Sequence, residues 1–408
     1  MIGVAKAVEL LSRREVLAEE LVRRCLARIE EREPVVQAWE VVDAEGALRE
    51  ARRIDGLRDR PFLCGVPVGV KDLIETKDLP TGYGSPIHRG HRPLEDAACV
   101  RALKQGGAVV LGKTVTTEFA VYSPGKTRNP RDPLRTPGGS SSGSAAAVAD
   151  GMVPFALGTQ TAASVIRPAS FCGVIGWKPA YGAVSLEGVH PLAPSLDTLG
   201  FFVRELDDVP PVLRALTGIE LAPSPLRSPV FALCRTEAWD RADPSTRSAV
   251  EAVAARLAKN GAEIRELELS PALVDAQMAI MGAEAAVSLR RYAEADLSQK
   301  LREFLETGRA VSPERLRAAH ELAARERIEL QRHLAQVDAI LTPAASGEAP
   351  HGLSATGDPL FSRIWTLLGA PCCSLPVLQG PSGLPLGLQL IARDDQHLFD
   401  AAVFAARV

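Results

Sequence analysis

The stretch TPGGSSSGSAAAVADG, residues 136–151, sets four serine hydroxyls among glycines and other small residues. A hydroxyl becomes a nucleophile only when a neighbouring base takes its proton, so the first question is which base could serve it. Ser123 and Lys126 match S-x-x-K, but Pro124 and Gly125 oppose the helical turn that such a pair needs. Gly139, Ser141 and Gly143 spell G-x-S-x-G. That nucleophile elbow must follow an apolar strand directly, and KTRNPRDPLRTP precedes it here. Its histidine partner would have to be His351 or His397 from chain order. A phosphate-binding loop would need lysine after the glycines, where GSAAA stands. A bare linker fits the composition, yet linkers rarely sit between a strand, a helix and another strand of a core.

Two distant segments supply what the loop lacks. VGVKD brings Lys71, and LGTQTAASVIRPASFCG, from Leu157 to Gly173, brings Ser164 and Arg167. These three segments, in this order, resemble the amidase signature family over nearly the whole chain. GKTVTTEFA, the run GTQT followed by SVIRPA, and ATGDP leading into RIWTLLGAPCCSLPVL make the short malonamidase-like hydrolases the nearest likeness. The resemblance implies Ser164 as nucleophile, Ser140 as a bridging serine preceded by a cis peptide, and Lys71 as base. It implies an oxyanion hole from the backbone N–H groups of Thr161, Ala162, Ala163 and Ser164, with Thr159 and Gly139 in support. It also implies Arg167 as the clamp for a substrate carboxylate, against the alternative of a structural arginine paired with an acid.

The chemistry of those residue types agrees. A lysine can act as base only when neutral, which asks burial to lower its pKa from about 10.4 toward 7, a differential of roughly 4–5 kcal/mol. Ser140 can relay because one hydroxyl donates and accepts at once. The chain departs from the family at T-A-A-S, where relatives carry glycine before the nucleophile. If either alanine position required a positive φ, the cost would be about 1–2 kcal/mol or a distorted hole.

The elements that must position these groups can be read from periodicity. Val66, Val68 and Val70 alternate in GVPVGVKD, a strand ending at Lys71. DAACVRALKQGG then AVVLGKT reads as helix then strand; residues 123–143 read as loop; a short helix follows at about Ser144–Asp150, and then the buried strand MVPFALGTQ. SPVFALCR, STRSAVEAVAARLAKNG and AEIRELEL repeat strand, helix, strand, and VDAILTP, CCSLPVL and LGLQLIA return to strand near the end. Such alternation argues for an α/β sheet. Roughly the first 55 residues read as helices, with Ser12 to Glu15 as an S-x-x-E capping box for the apolar series that follows.

The 47 basic and 50 acidic residues of this 408-residue chain are interleaved, so no block of charge advertises nucleic acid or an acidic membrane. Seven cysteines without C-x-x-C spacing suit reduced thiols, and Cys172 in FCGVIG reads as buried and inert. MIGVAKAVELLSRRE has too short an apolar run for a signal peptide, and no run of 18 apolar residues occurs, so the expected location is the cytoplasm. His88, His91 and His190 carry no metal-ligand pattern on one helix face and read as surface loop.

The expectation is a single α/β domain, residues 1–408, with a mixed central β-sheet covered by helices on both faces (α/β/α). Within it, 1–55 is a helical segment packing on the core, 65–205 the catalytic signature region and 271–334 a helical pocket-forming region. The expected activity is hydrolysis of a small carboxylate-bearing amide through an acyl-enzyme on Ser164, with no metal or organic cofactor, no nucleic-acid or membrane partner, and a homodimeric state implied by the resemblance. The residues leave two alternatives open: a component of a tRNA-dependent amidotransferase, and an impaired protein of the same fold that binds small acids.

Overall fold

The computed structural model describes residues 2–293 and 295–407. Eleven strands among them form one sheet. They are β1 (Trp39–Val42), β2 (Pro67–Lys71), β3 (Val109–Thr114), β4 (Phe155–Gln160), β5 (Ile175–Lys178), β6 (Thr198–Val203), β7 (Val230–Cys234), β8 (Glu263–Leu267), β9 (Ala339–Pro343), β10 (Cys372–Gln379) and β11 (Pro385–Ile391). Across the sheet they run β1-β3-β2-β4-β6-β5-β10-β11-β9-β7-β8. Pairing is parallel for β2 with β3 and β4, and for β7 with β8 and β9. The remaining neighbours are antiparallel. The sheet is mixed, and with its helices it forms the single α/β domain expected.

Both β2 and β4 are buried at every residue, which is what a strand covered on both faces by helices requires. Their parallel pairing brings the carboxyl ends together, so Lys71 of β2 and Thr159 and Gln160 of β4 reach one edge of the sheet. That edge is where open α/β sheets place ligands. The helix Ser142–Ala149 packs on β2, β3 and β4 and is built of small residues because the approach is close. A Cβ on Gly143 would fall 2.2 Å from the carbonyl oxygen of Ala38.

The N-terminus departs from expectation in two ways. Instead of one capped helix from Ser12, there are helices Val4–Ser12 and Ala18–Val36, and Ser12 Oγ turns back to the carbonyl of Glu9. The second helix is capped from outside: the Asp55 carboxylate accepts from the N–H groups of Ala18 and Glu19 at 2.9 and 3.0 Å. A cap supplied from a position 37 residues beyond Ala18 leaves no local signature. The second departure is β1, a four-residue edge strand too short to show a period, held antiparallel to β3.

Candidate active site

Lys71 ends β2 with no solvent exposure. Its Nζ lies 2.8 Å from Ser140 Oγ and 2.7 Å from Thr159 Oγ1. Burial lowers the amine's pKa to about 7, with the field of Asp197 acting in the opposite direction. The base, the bridging hydroxyl and the supporting threonine expected from the sequence are therefore brought into contact.

Ser140 is held by its loop. Gly138 sits at φ +81°, and a Cβ there would lie 2.8 Å from Pro168 Cα, so glycine is required both by conformation and by space. The Gly139–Ser140 peptide is cis. A Cβ on Gly139 would meet Thr356 Cγ2 at 2.8 Å. One residue after Ser140 the chain enters the helix Ser142–Ala149 through Ser141.

Ser164 lies in the turn between β4 and the helix Ile166–Cys172. With Ser140, Thr161, Ala162, Ala163 and Arg167 it lines a cavity of about 60 Å3. The carbonyls of this turn are tied to the protein one after another. Gln277 Nε2 donates to the Thr161 carbonyl at 3.2 Å, Thr366 Oγ1 to the Ala162 carbonyl at 2.8 Å, and the Arg167 N–H to the Ala163 carbonyl at 2.9 Å. In a planar trans peptide the N–H points opposite to the C=O. The N–H groups of Ala162, Ala163 and Ser164 therefore each point away from an anchored carbonyl, and these are among the groups expected from the sequence to receive an oxyanion.

Further groups lock the turn. Gln160 Oε1 accepts from the N–H groups of Val165 and Ile166 at 2.9 and 3.0 Å, while its Nε2 donates to Thr366 Oγ1 at 3.0 Å. Thr161 Oγ1 donates to Asp197 Oδ1 at 2.6 Å, and Asp197 Oδ2 accepts from the N–H groups of Leu192 and Ala193. Burial pushes the Asp197 carboxyl up to about 6, opposed by these three donors. Neither Ala162 nor Ala163 is among the residues with positive φ, so T-A-A-S carries no backbone penalty. Sequence reasoning gave no role to Gln160, Asp197, Gln277 or Thr366. Gln160 was visible in GTQT, but the others approach from 36 to 206 residues away in sequence, where spacing rules do not reach.

Arg167 is 5% exposed and largely committed to the protein. It donates to the carbonyls of Gly357 at 2.8 Å and Gly139 at 2.6 Å and to Thr356 Oγ1 at 3.2 Å, while its Nε has no partner. Its fork thus braces the loop that carries Ser140. Burial brings its pKa down to about 10.

The remaining candidates fall away from the cavity. Ser123 Oγ meets Ser298 Oγ and Lys126 reaches Glu40, so the S-x-x-K pair is not formed. Cys172 is buried with its thiol pushed well up, and all seven cysteines are free and buried. His190 is not on a surface loop: it is 5% exposed and packs with Tyr83, Phe119 and Tyr292, which belong to a buried cluster with Leu73, Leu192 and Leu289. Among the described residues no group of three His, Cys, Asp or Glu side chains could hold a metal ion. No helix among them is long and apolar enough to cross a membrane.

Comparison with known proteins bears on the same geometry. The chain is 34% identical over 456 residues to the A-subunit of glutamyl-tRNA(Gln) amidotransferase from Roseiflexus castenholzii, covering 97% of this chain and 93% of that protein. A crystal structure of an amidase superimposes with a TM-score of 0.90 at 30% identity, covering 100% of this chain and 99% of the other. The crystal structure of the A-subunit of glutamyl-tRNA(Gln) amidotransferase from Thermotoga maritima gives 0.82 at 28% identity, covering 98% and 93%. Amidotransferase components, rather than malonamidase-like enzymes, stand among these relatives, so the finer likeness is not supported. They also overturn the expectation of a small-molecule amide as partner with no nucleic acid, since these relatives are named as subunits of a glutamyl-tRNA(Gln) amidotransferase. The amidase family model matches residues 20–398, and the chain belongs to that family, an enzyme acting on the carbon–nitrogen bonds of amides.

Proposed function

We propose that this chain is the amide-cleaving component of an amidotransferase-type assembly with protein and tRNA partners, and that the amide donor carries a carboxylate. Ser164 Oγ attacks the amide carbonyl while its proton passes through Ser140 Oγ to Lys71 Nζ. The oxyanion is received by the N–H groups of the 162–164 turn. Collapse expels the nitrogen, which takes the proton back as ammonia, and leaves an acyl ester on Ser164. Water, deprotonated by the same relay, then frees the acid. The observation that carries this reading is the buried Lys71 amine, near-neutral in pKa and 2.8 Å from Ser140 Oγ. The partners are supported by the relatives' names alone.

The first test is a fluorophosphonate probe, with labelling expected at Ser164 and absent in Lys71→Ala. An unlabelled chain would leave the reading of a binding protein standing. The second measures ammonia release from amide donors by the chain alone and with companion proteins and glutamyl-tRNA(Gln). Release that needs the companions supports the assembly. Full activity of the isolated chain favours a second reading, a self-standing hydrolase, which the higher TM-score of the solved amidase supports.

A further inference from the structure

Tyr122 and Met281 line the catalytic cavity and also a second chamber of about 420 Å3 beyond it. Arg363 lines that chamber while only 8% exposed. Among the described residues its side chain makes one hydrogen bond, from Nη1 to Gln277 Oε1 at 3.3 Å, and its buried Nε has no partner. Asp358 and Glu237 are acids whose fields reach it, but Asp358 is itself paired with Arg241 at 2.9 Å. A buried guanidinium without a carboxylate is costly unless an anion completes it. Arg167 presents the contrast, since three of its hydrogen bonds go to the protein's own oxygens.

The chamber's wall adds Lys300 and Arg315 against the single acid Glu303, whose carboxylate accepts from Gln299. Lys300 itself donates to the Ser354 carbonyl, and Phe304 supplies an apolar face. Apolar walls with an incompletely paired buried cation suit an anion carried on an aliphatic stem. We propose that Arg363 is the residue that recognises the substrate carboxylate, and that the amide opened at Ser164 carries this carboxylate on an apolar stem reaching past Tyr122 and Met281. This rests on the reading of Ser164 as nucleophile. A planar guanidinium suits the task because it can engage both carboxylate oxygens.

Calorimetry with the full-length Ser164→Ala chain tests it without turnover, using succinate, glutarate and adipate, with uncharged pentanamide as the control that lacks a carboxylate. At least one diacid is expected to bind more tightly than pentanamide, and to lose about 30-fold or more in affinity in Ser164→Ala/Arg363→Leu. Arg363→Lys, which keeps the charge without the fork, should recover part of the loss, and it serves as the second variant should leucine disturb folding. Unchanged diacid affinity in Arg363→Leu, or no preference of any diacid over pentanamide, would overturn the proposal. In turnover, the ratio of kcat/KM for glutaramic acid to that for pentanamide should collapse in Arg363→Leu, and equal loss for both substrates also overturns it. Diacid binding that depends on Arg363 in a chain whose Ser164 resists the fluorophosphonate would sink the catalytic reading and leave this one intact.

Discussion

Burial sets the Lys71 amine at a pKa of about 7 against 10.5 for the free side chain, and this shift acts on rate and stability with opposite consequences. In the proposed mechanism the base is the neutral form, so kcat/KM should rise with pH, pass its midpoint near 7 and level off above it. A profile flat across that range would argue against lysine as base. For stability, the folded pKa is the depressed one. Between pH 7 and 10.5 the unfolded chain holds the extra proton, so this group's contribution grows with rising pH and is lost as pH falls toward 7. Lys71→Met should therefore be inactive yet more resistant to urea near neutral pH, by up to several kcal/mol less the value of two hydrogen bonds. The same residue was legible in the sequence, since VGVKD, the glycine–serine loop and SVIRP form a recognisable series. Asp197 and Arg363 were not, because a buried charge looks like a surface charge until its neighbours are known.

The 161–164 turn takes its shape from other elements, chiefly the helix Arg363–Leu367 through Thr366 and the helix Leu273–Ser288 through Gln277. Thr366→Val keeps the shape of the side chain and removes the donor to the Ala162 carbonyl. It frees that peptide to rotate, and in the proposed mechanism the N–H of Ala163 would then no longer face the developing oxyanion. The expected result is a fall in kcat of about 10- to 100-fold with KM changed little. Thr366→Ser, which restores the hydroxyl, should recover most of it. A rise in KM alone would mean that Thr366 shapes the pocket instead of the turn. Elements themselves were read unevenly. Strands such as β2, β3 and β4 stood out as apolar runs, and the helices 98–105 and 244–259 by their period. β1, β5 and β6 did not: the first two have four residues each, and β6, TLGFFV, is buried throughout and has no alternation to display.

At the scale of the whole molecule, one hydrophobic cluster runs from Val4 to Ala405 and one sheet from β1 to β8, so the N-terminal helices are part of the core they cover. Alternating strands and helices made the α/β class legible from sequence. The strand order was not, because it depends on which long connections cross the sheet. The joint between the N-terminal helices and the catalytic half is carried partly by Asp150, 9% exposed at the end of the helix that follows Ser140. Its carboxylate meets Arg28 Nη2 at 2.5 Å and Arg32 Nε at 2.8 Å. The arginines are partly open to solvent, which screens the pairs, so Asp150→Asn should cost about 1–2 kcal/mol rather than the larger penalty of a fully buried pair. If the chain unfolds as one unit, this change should lower the midpoint of a single urea transition and leave its slope unaltered. Circular dichroism and tryptophan fluorescence should then trace the same curve, since Trp39 lies in β1 and Trp177 in β5. Two separated transitions would instead mark residues 1–55 as a unit that melts on its own, and the packing of that segment on the core would be looser than its buried side chains imply.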